Sequence, residues 1–190
     1  MKRICVFCGS SLGGHPAYQE AAQELARVLV QQELDLVYGG GGVGLMGILA
    51  DTVLSLGGRV YGVITEALMA REVGHLHLTE LAVVPSMHER KARMSSMADG
   101  FVALPGGFGT FEELFEVITW AQLGLHSKPI GLLNVGGYFS PLLELIGHGV
   151  KEGFIQSSHR CLVVASQDPR ELVCSLRQYT PLTDLDKWVD

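Results

Sequence analysis

The chain opens on an apolar run at residues 3–8, and comparable runs recur at 34–38, 59–65, 81–84, 101–104, 130–133 and 162–165. Each is short and bounded by glycine, proline or polar residues, as buried strands are. Between them, apolar residues return at helical spacing. Ala22, Leu25, Ala26, Leu29 and Val30 share one face of a helix over 16–32. Similar patterns predict helices over 45–56, 87–98, 111–123, 140–152 and 169–178. Residues 66–77 show no clear period and read as a loop or a short helix. Repeated βα units of this kind predict a mainly parallel sheet with helices on both faces, a Rossmann-like α/β fold. No linker divides the chain, so residues 1–190 read as one domain.

Glycine-rich loops follow the first, second and fifth runs, where a parallel sheet of this class gathers its ligand at the carboxyl ends of the strands. The first carries Ser10. The second, Gly39-Gly40-Gly41-Gly42-Val43-Gly44-Leu45-Met46-Gly47, contains a literal GxGxxG. Taken alone that is a weak dinucleotide signature, and close helix–strand packing could also demand those glycines. The third is Leu104-Pro105-Gly106-Gly107-Phe108-Gly109-Thr110-Phe111-Glu112-Glu113. A strand, a glycine turn and a helix N-terminus in this order form an anion site, because free N–H groups and the helix dipole converge on one point. No glycine loop runs into Lys-Ser or Lys-Thr, which excludes a P-loop nucleotide hydrolase.

Candidate chemistry lies on the two neighbouring helices. Ser86-Met87-His88-Glu89 fits a capping box and sets the helix start. From there Arg90 shares a stripe with Met87, Met94 and Met97. An arginine on an apolar stripe either reaches water along its stem, pairs with a carboxylate, or binds a ligand with Lys91 beside it. Thr110-Phe111-Glu112-Glu113 also fits a capping box, with Thr110 at the N-cap and Glu113 folding back at N3. Glu112 and Glu116 read as solvated helix charges, with Glu112 in reach of a ligand hydroxyl. Spacing alone favours the capping role for Glu113 and does not choose among these carboxylates.

Charged residues make up 18% of the chain and hydrophobic ones 47%, a lean surface that oligomerisation would account for. The net charge of −6 argues against non-specific nucleic-acid binding. No run approaches the roughly 20 apolar residues of a membrane span, and no secretory signal opens the chain. Cys5 and Cys8 form a CxxC, but on a strand their side chains point apart, so both read as buried thiols in a cytoplasmic protein. The seven histidines show no ligand spacing stronger than His75-Leu76-His77, so neither a metal nor a cofactor is called for.

The run from Pro105 to Glu113 matches the PGGxGTxxE motif of the LONELY GUY family of cytokinin-activating nucleotide phosphoribohydrolases, which the sequence resembles over nearly its whole length. Met87-His88-Glu89-Arg90-Lys91, the Gly39–Gly47 loop, Thr119-Trp120-Ala121-Gln122-Leu123-Gly124 and Gly131-Leu132-Leu133-Asn134 continue the likeness. The resemblance implies hydrolysis of the N-glycosidic bond of a nucleoside 5′-monophosphate, releasing adenine or an N6-substituted adenine and ribose 5-phosphate. It implies Arg90 and Glu113 as catalytic residues. It also implies substrate contacts from Glu72, Arg90, Lys91, the Gly107–Glu113 run and Thr119. By the physical reading Gly106 belongs to the phosphate turn, with Gly40, Gly41, Gly42, Gly44 and Ser10 as further loop candidates. A homodimer is expected from the family, with Thr119 and Trp120 as candidates for its interface. Two alternatives stand beside this reading: a nucleotide-binding or carrier protein without turnover, and the older family label of lysine decarboxylase. The latter would need a pyridoxal phosphate lysine, for which only Lys91 is near the crevice.

Overall fold

The structure, a computed structural model, describes residues 1–71 and 74–181. Its centre is a seven-stranded sheet in the order β4-β3-β2-β1-β5-β6-β7. β1 (Arg3–Phe7) lies between β2 (Asp35–Tyr38) and β5 (Gly100–Ala103). β3 (Val60–Thr65) and β4 (Glu80–Val84) extend the β2 side; β6 (Ile130–Leu133) and β7 (Val163–Ser166) extend the other. Every paired strand is parallel, so the sheet is wholly rather than mainly parallel among the described residues. All residues of β2, β3, β5 and β6 are buried, which explains why they read as continuous apolar runs without alternation.

Two cores flank the sheet. Helices α1 (Ala17–Gln31), α2 (Gly44–Ser55) and α7 (Pro169–Gln178) pack against Ile4, Val6, Leu36 and Leu133 on one face. Helices α4 (Met87–Met97) and α5 (Phe108–Gln122) pack against Val37, Val63, Phe101 and Ala103 on the other. Helix α6 (Ser140–Lys151) and the 3-10 turn Ser157–Leu162 lie on the α5 side. Cys5 and Cys8 belong to opposite cores and both are free thiols, as their strand spacing requires. Among the described residues no helix is long and apolar enough to cross a membrane.

Most element ends fall within two residues of expectation, and one helix start differs. The stretch without a period contains a short helix, α3 (Glu66–Met69), opened by Thr65, whose hydroxyl accepts from the Leu68 N–H at 3.3 Å. Helix α5 begins at Phe108 with Gly107 as its cap, a full turn before residue 111. Thr110 is therefore not the cap but a buried residue within the first turn.

The sheet order creates the crevice. The chain leaves β1 through α1 towards β2, and leaves β5 through α5 towards β6. The loops after these adjacent strands diverge, the arrangement in which open α/β sheets bind ligands.

Candidate active site

Three loops meet at that switch point and are tied together through their backbones. Gly9 donates to the Pro105 carbonyl at 3.1 Å, and Met46 donates to the Gly9 carbonyl at 3.3 Å. Gly44 has φ of +62°, and a Cβ there would stand 2.2 Å from the Ser10 carbonyl carbon, so glycine is required for the second loop to lie against the first. Gly40, at φ +74°, packs on Ile64 and Leu81, and Gly42 packs on His75. The GxGxxG glycines thus serve loop packing here.

Beyond these loops opens a cleft of about 420 Å³, a volume suited to a nucleotide. One wall is the start of α5. No side chain caps this helix, and its first intrahelical bond runs from the Phe111 N–H to the Gly107 carbonyl at 3.1 Å. The N–H groups of Phe108, Gly109 and Thr110 are left without intrahelical partners, at the positive end of the helix dipole. Side chains added at Gly107 or Gly109 would meet nothing within 4 Å, so this wall is open to a ligand.

Arg90 and Glu113 lie on the floor, 7% and 9% exposed. Arg90 donates from Nε to the Val63 carbonyl at 3.0 Å, from Nη2 to the Gly39 carbonyl at 3.1 Å, and from Nη1 to Glu113 Oε1 at 3.2 Å. One side chain thereby joins β3, the end of β2 and α5. A Cβ at Gly39 would stand 1.9 Å from Nη2, so the second loop must begin with glycine for Arg90 to seat. Arg90 does pair with a carboxylate, one of the fates weighed for it, and it does so in the lining of the cleft. The capping role for Glu113 is overturned, because α5 starts a turn earlier and the carboxylate faces Arg90 instead. Burial raises the Glu113 pKa to about 7, against the opposing pull of the Arg90 cation.

The other expected residues divide. Ser10, Gly41, Gly107, Phe108, Gly109 and Thr110 line the same cleft. Gly106 lines a smaller adjoining hollow of about 260 Å³ with Tyr18 and Tyr138, and its carbonyl accepts the Tyr138 hydroxyl. Phe111 stacks on Tyr138, with ring centroids 6.4 Å apart. Lys91 is drawn away between α4 and α5, where its ammonium binds Glu112 and, at 2.9 Å, Glu116. Burial opposes that charge, yet hydrogen bonds to the two glutamates hold the Lys91 pKa above its usual value. Glu112 and Glu116 are thus partners of Lys91 rather than free surface charges. Thr119 is exposed far along α5, its hydroxyl donating to the Phe115 carbonyl at 2.7 Å. Glu72 lies outside the described residues. Sequence reasoning passed over Cys8, Gly9 and Arg71, which also line the cleft. For Arg71 the available signal was a basic residue in an irregular segment just past a strand's carboxyl end.

Residues 46–176 match the family described as possible lysine decarboxylase. A cytokinin riboside 5′-monophosphate phosphoribohydrolase of Arabidopsis thaliana is 54% identical over 183 residues, covering 96% of this chain and 84% of its own. A protein of the same name from Oryza sativa subsp. japonica is 52% identical, covering 95% and 74%. The chain belongs to the LONELY GUY family. More distant solved structures share the fold. The molybdenum cofactor carrier protein of Chlamydomonas reinhardtii superposes with a TM-score of 0.68 at 18% identity, covering 93% of this chain and 96% of its own. The molybdenum cofactor binding protein of Rippkaea orientalis gives 0.69 at 17%, covering 94% and 97%. The buried Arg90–Glu113 pair and the open α5 N-terminus line one cleft.

Proposed function

We propose that this protein hydrolyses the N-glycosidic bond of adenosine 5′-monophosphate and its N6-substituted relatives, releasing the free base and ribose 5-phosphate. The observation that carries this reading is the Arg90–Glu113 pair, buried beneath a helix N-terminus that no side chain caps. The free N–H groups of α5 hold the 5′-phosphate, so binding energy remote from the reacting carbon fixes the ribose. Glu113 lies one helical turn further in, which sets a carboxylate near C1′. Glycosidic cleavage builds positive charge at that carbon, and the anion stabilises it. Arg90, always charged, holds the carboxylate in place and favours its ionised form. Val43, Met46, Ile64 and Leu68 supply an apolar wall for the base and an N6 substituent.

Lys91 is an unsuitable Schiff-base residue, since two glutamates hold its ammonium outside the cleft. That weighs against the decarboxylase description. A cytoplasmic setting fits the four free cysteines. The working unit is a homodimer of single-domain chains, formed through the apolar face of α5 and α6. That face also carries Thr119, and a dimer would return this residue to a nucleotide site across the interface.

Incubation with adenosine 5′-monophosphate and with its N6-isopentenyl derivative, followed by chromatography, tests the activity. Free base and ribose 5-phosphate should appear in equal amounts. Tight binding with no base released would make the protein a carrier.

A further inference from the structure

The departing purine takes the electron pair of its bond to C1′, and hydrolysis needs a group to meet that charge. Arg90 is poorly placed to do so. Each of its three guanidinium nitrogens is committed to a protein acceptor on the cleft floor. Lys91 is engaged by Glu112 and Glu116 outside the cleft.

Arg71 remains. It lines the cleft and is exposed, and its guanidinium has no hydrogen-bond or ion-pair partner among the described residues. Its place follows from the sheet order. Arg71 comes after β3 and the phosphate seat comes after β5, with β2 and β1 between them. Three strand spacings separate the two loops by about 14 Å. A nucleotide anchored by its phosphate on α5, with C1′ at Glu113, extends its base towards the β3 side. There Ile64 and Leu68 form the apolar surface, and Arg71 supplies the one cation of the cleft that no described residue neutralises.

We propose that Arg71 is a further catalytic residue: its guanidinium donates hydrogen bonds to the purine ring and stabilises the base as it leaves. This rests on the phosphoribohydrolase reading. Arginine keeps its own protons throughout. The bond from C1′ to the purine breaks with its electrons passing to the ring, and water oxygen bonds C1′. One water proton is released and one proton is taken up by the base, so the reaction balances as hydrolysis.

The test compares wild type, Arg71→Ala and Arg71→Lys on two substrates. One is adenosine 5′-monophosphate. The other is 4-nitrophenyl riboside 5-phosphate, whose phenolate departs without help. Arg71→Ala should lower turnover of the nucleotide by about 100-fold. It should leave the nitrophenyl substrate near wild-type rates and inhibition by ribose 5-phosphate unchanged, and Arg71→Lys should recover part of the loss. Thermal unfolding should not move, because the side chain is exposed. Equal losses on both substrates, weaker inhibition by ribose 5-phosphate, or an unimpaired Arg71→Ala would each overturn the proposal while leaving the activity standing. A wild-type protein inert on both substrates would instead remove the phosphoribohydrolase reading, and this inference with it.

Discussion

Glu113 is held between two opposed effects. Burial disfavours its charge, the Arg90 cation favours it, and burial prevails, taking the pKa from 4.5 to about 7. Only the anion stabilises positive charge at C1′, so base release should rise with pH through about 7 and level off above it. A profile of kcat/KM against pH measures this limb directly. Glu113→Gln and Arg90→Ala should each abolish base release while the protein still folds. A folded Glu113→Gln protein with wild-type turnover would refute the mechanism. The same pKa enters stability with a definite sign. Between 4.5 and about 7 the unfolded chain has already lost the proton that the folded protein keeps, so stability falls as pH rises through that window. The displacement corresponds to roughly 3 kcal/mol. Denaturant titrations of wild type and Glu113→Gln from about pH 5 to about pH 8 should diverge by an amount of that order, wild type losing more.

Helix starts show what an element's sequence can and cannot reveal. At α4 the expected N-cap is present: the Ser86 hydroxyl accepts from the Glu89 N–H at 3.2 Å, and Glu89 turns back to accept from that hydroxyl at 3.0 Å rather than from the Ser86 backbone N–H. At α5 the same pattern, Thr110 to Glu113, predicts a start that does not occur. The helix extends back over Phe108 and Gly109, and Glu113 is held by a partner on another helix, 23 positions away in sequence. Local spacing cannot register such a contact, and Arg71 escaped notice for the same reason, since its segment has no period to place it. In the proposed reading the uncapped start of α5 is the phosphate seat, and α7, whose start is capped, supplies the contrast. Asp168 caps α7 by accepting from the Arg170 and Glu171 N–H groups at 2.7 and 2.9 Å. Asp168→Ala should cost about 1 kcal/mol in chemical denaturation. It should leave base release unchanged, because α7 packs on β6, β7 and α1, away from the cleft.

At the scale of the whole molecule the fold was the most legible part. Strands buried on both faces announce themselves as unbroken apolar runs, and glycine loops after the first, second and fifth runs mark where the crevice must lie. The molecular surface was harder to read, since composition shows only that charge is sparse, not where apolar groups collect. Some of them stand exposed on and beside α6. Helix α6 has no buried residue, although it carries Leu142, Leu143, Leu145 and Ile146. Phe154, just past it, is 89% exposed, Leu125, just past α5, is 69% exposed, and both α5 and α6 pack on the same 3-10 turn. Leaving such a face in water is unusual for a monomer, and a second copy of the chain is the occupant that the proposed homodimer requires. Leu125→Asp and Phe154→Asp place a carboxylate where the partner would bury it, at a cost that a dimer interface cannot absorb. In sizing experiments wild type should run as a dimer and the double variant as a folded monomer. Because Thr119 lies on the same helix as the face, the monomer should also lose turnover. A monomeric wild type with full activity would mean that each cleft is complete within its own chain.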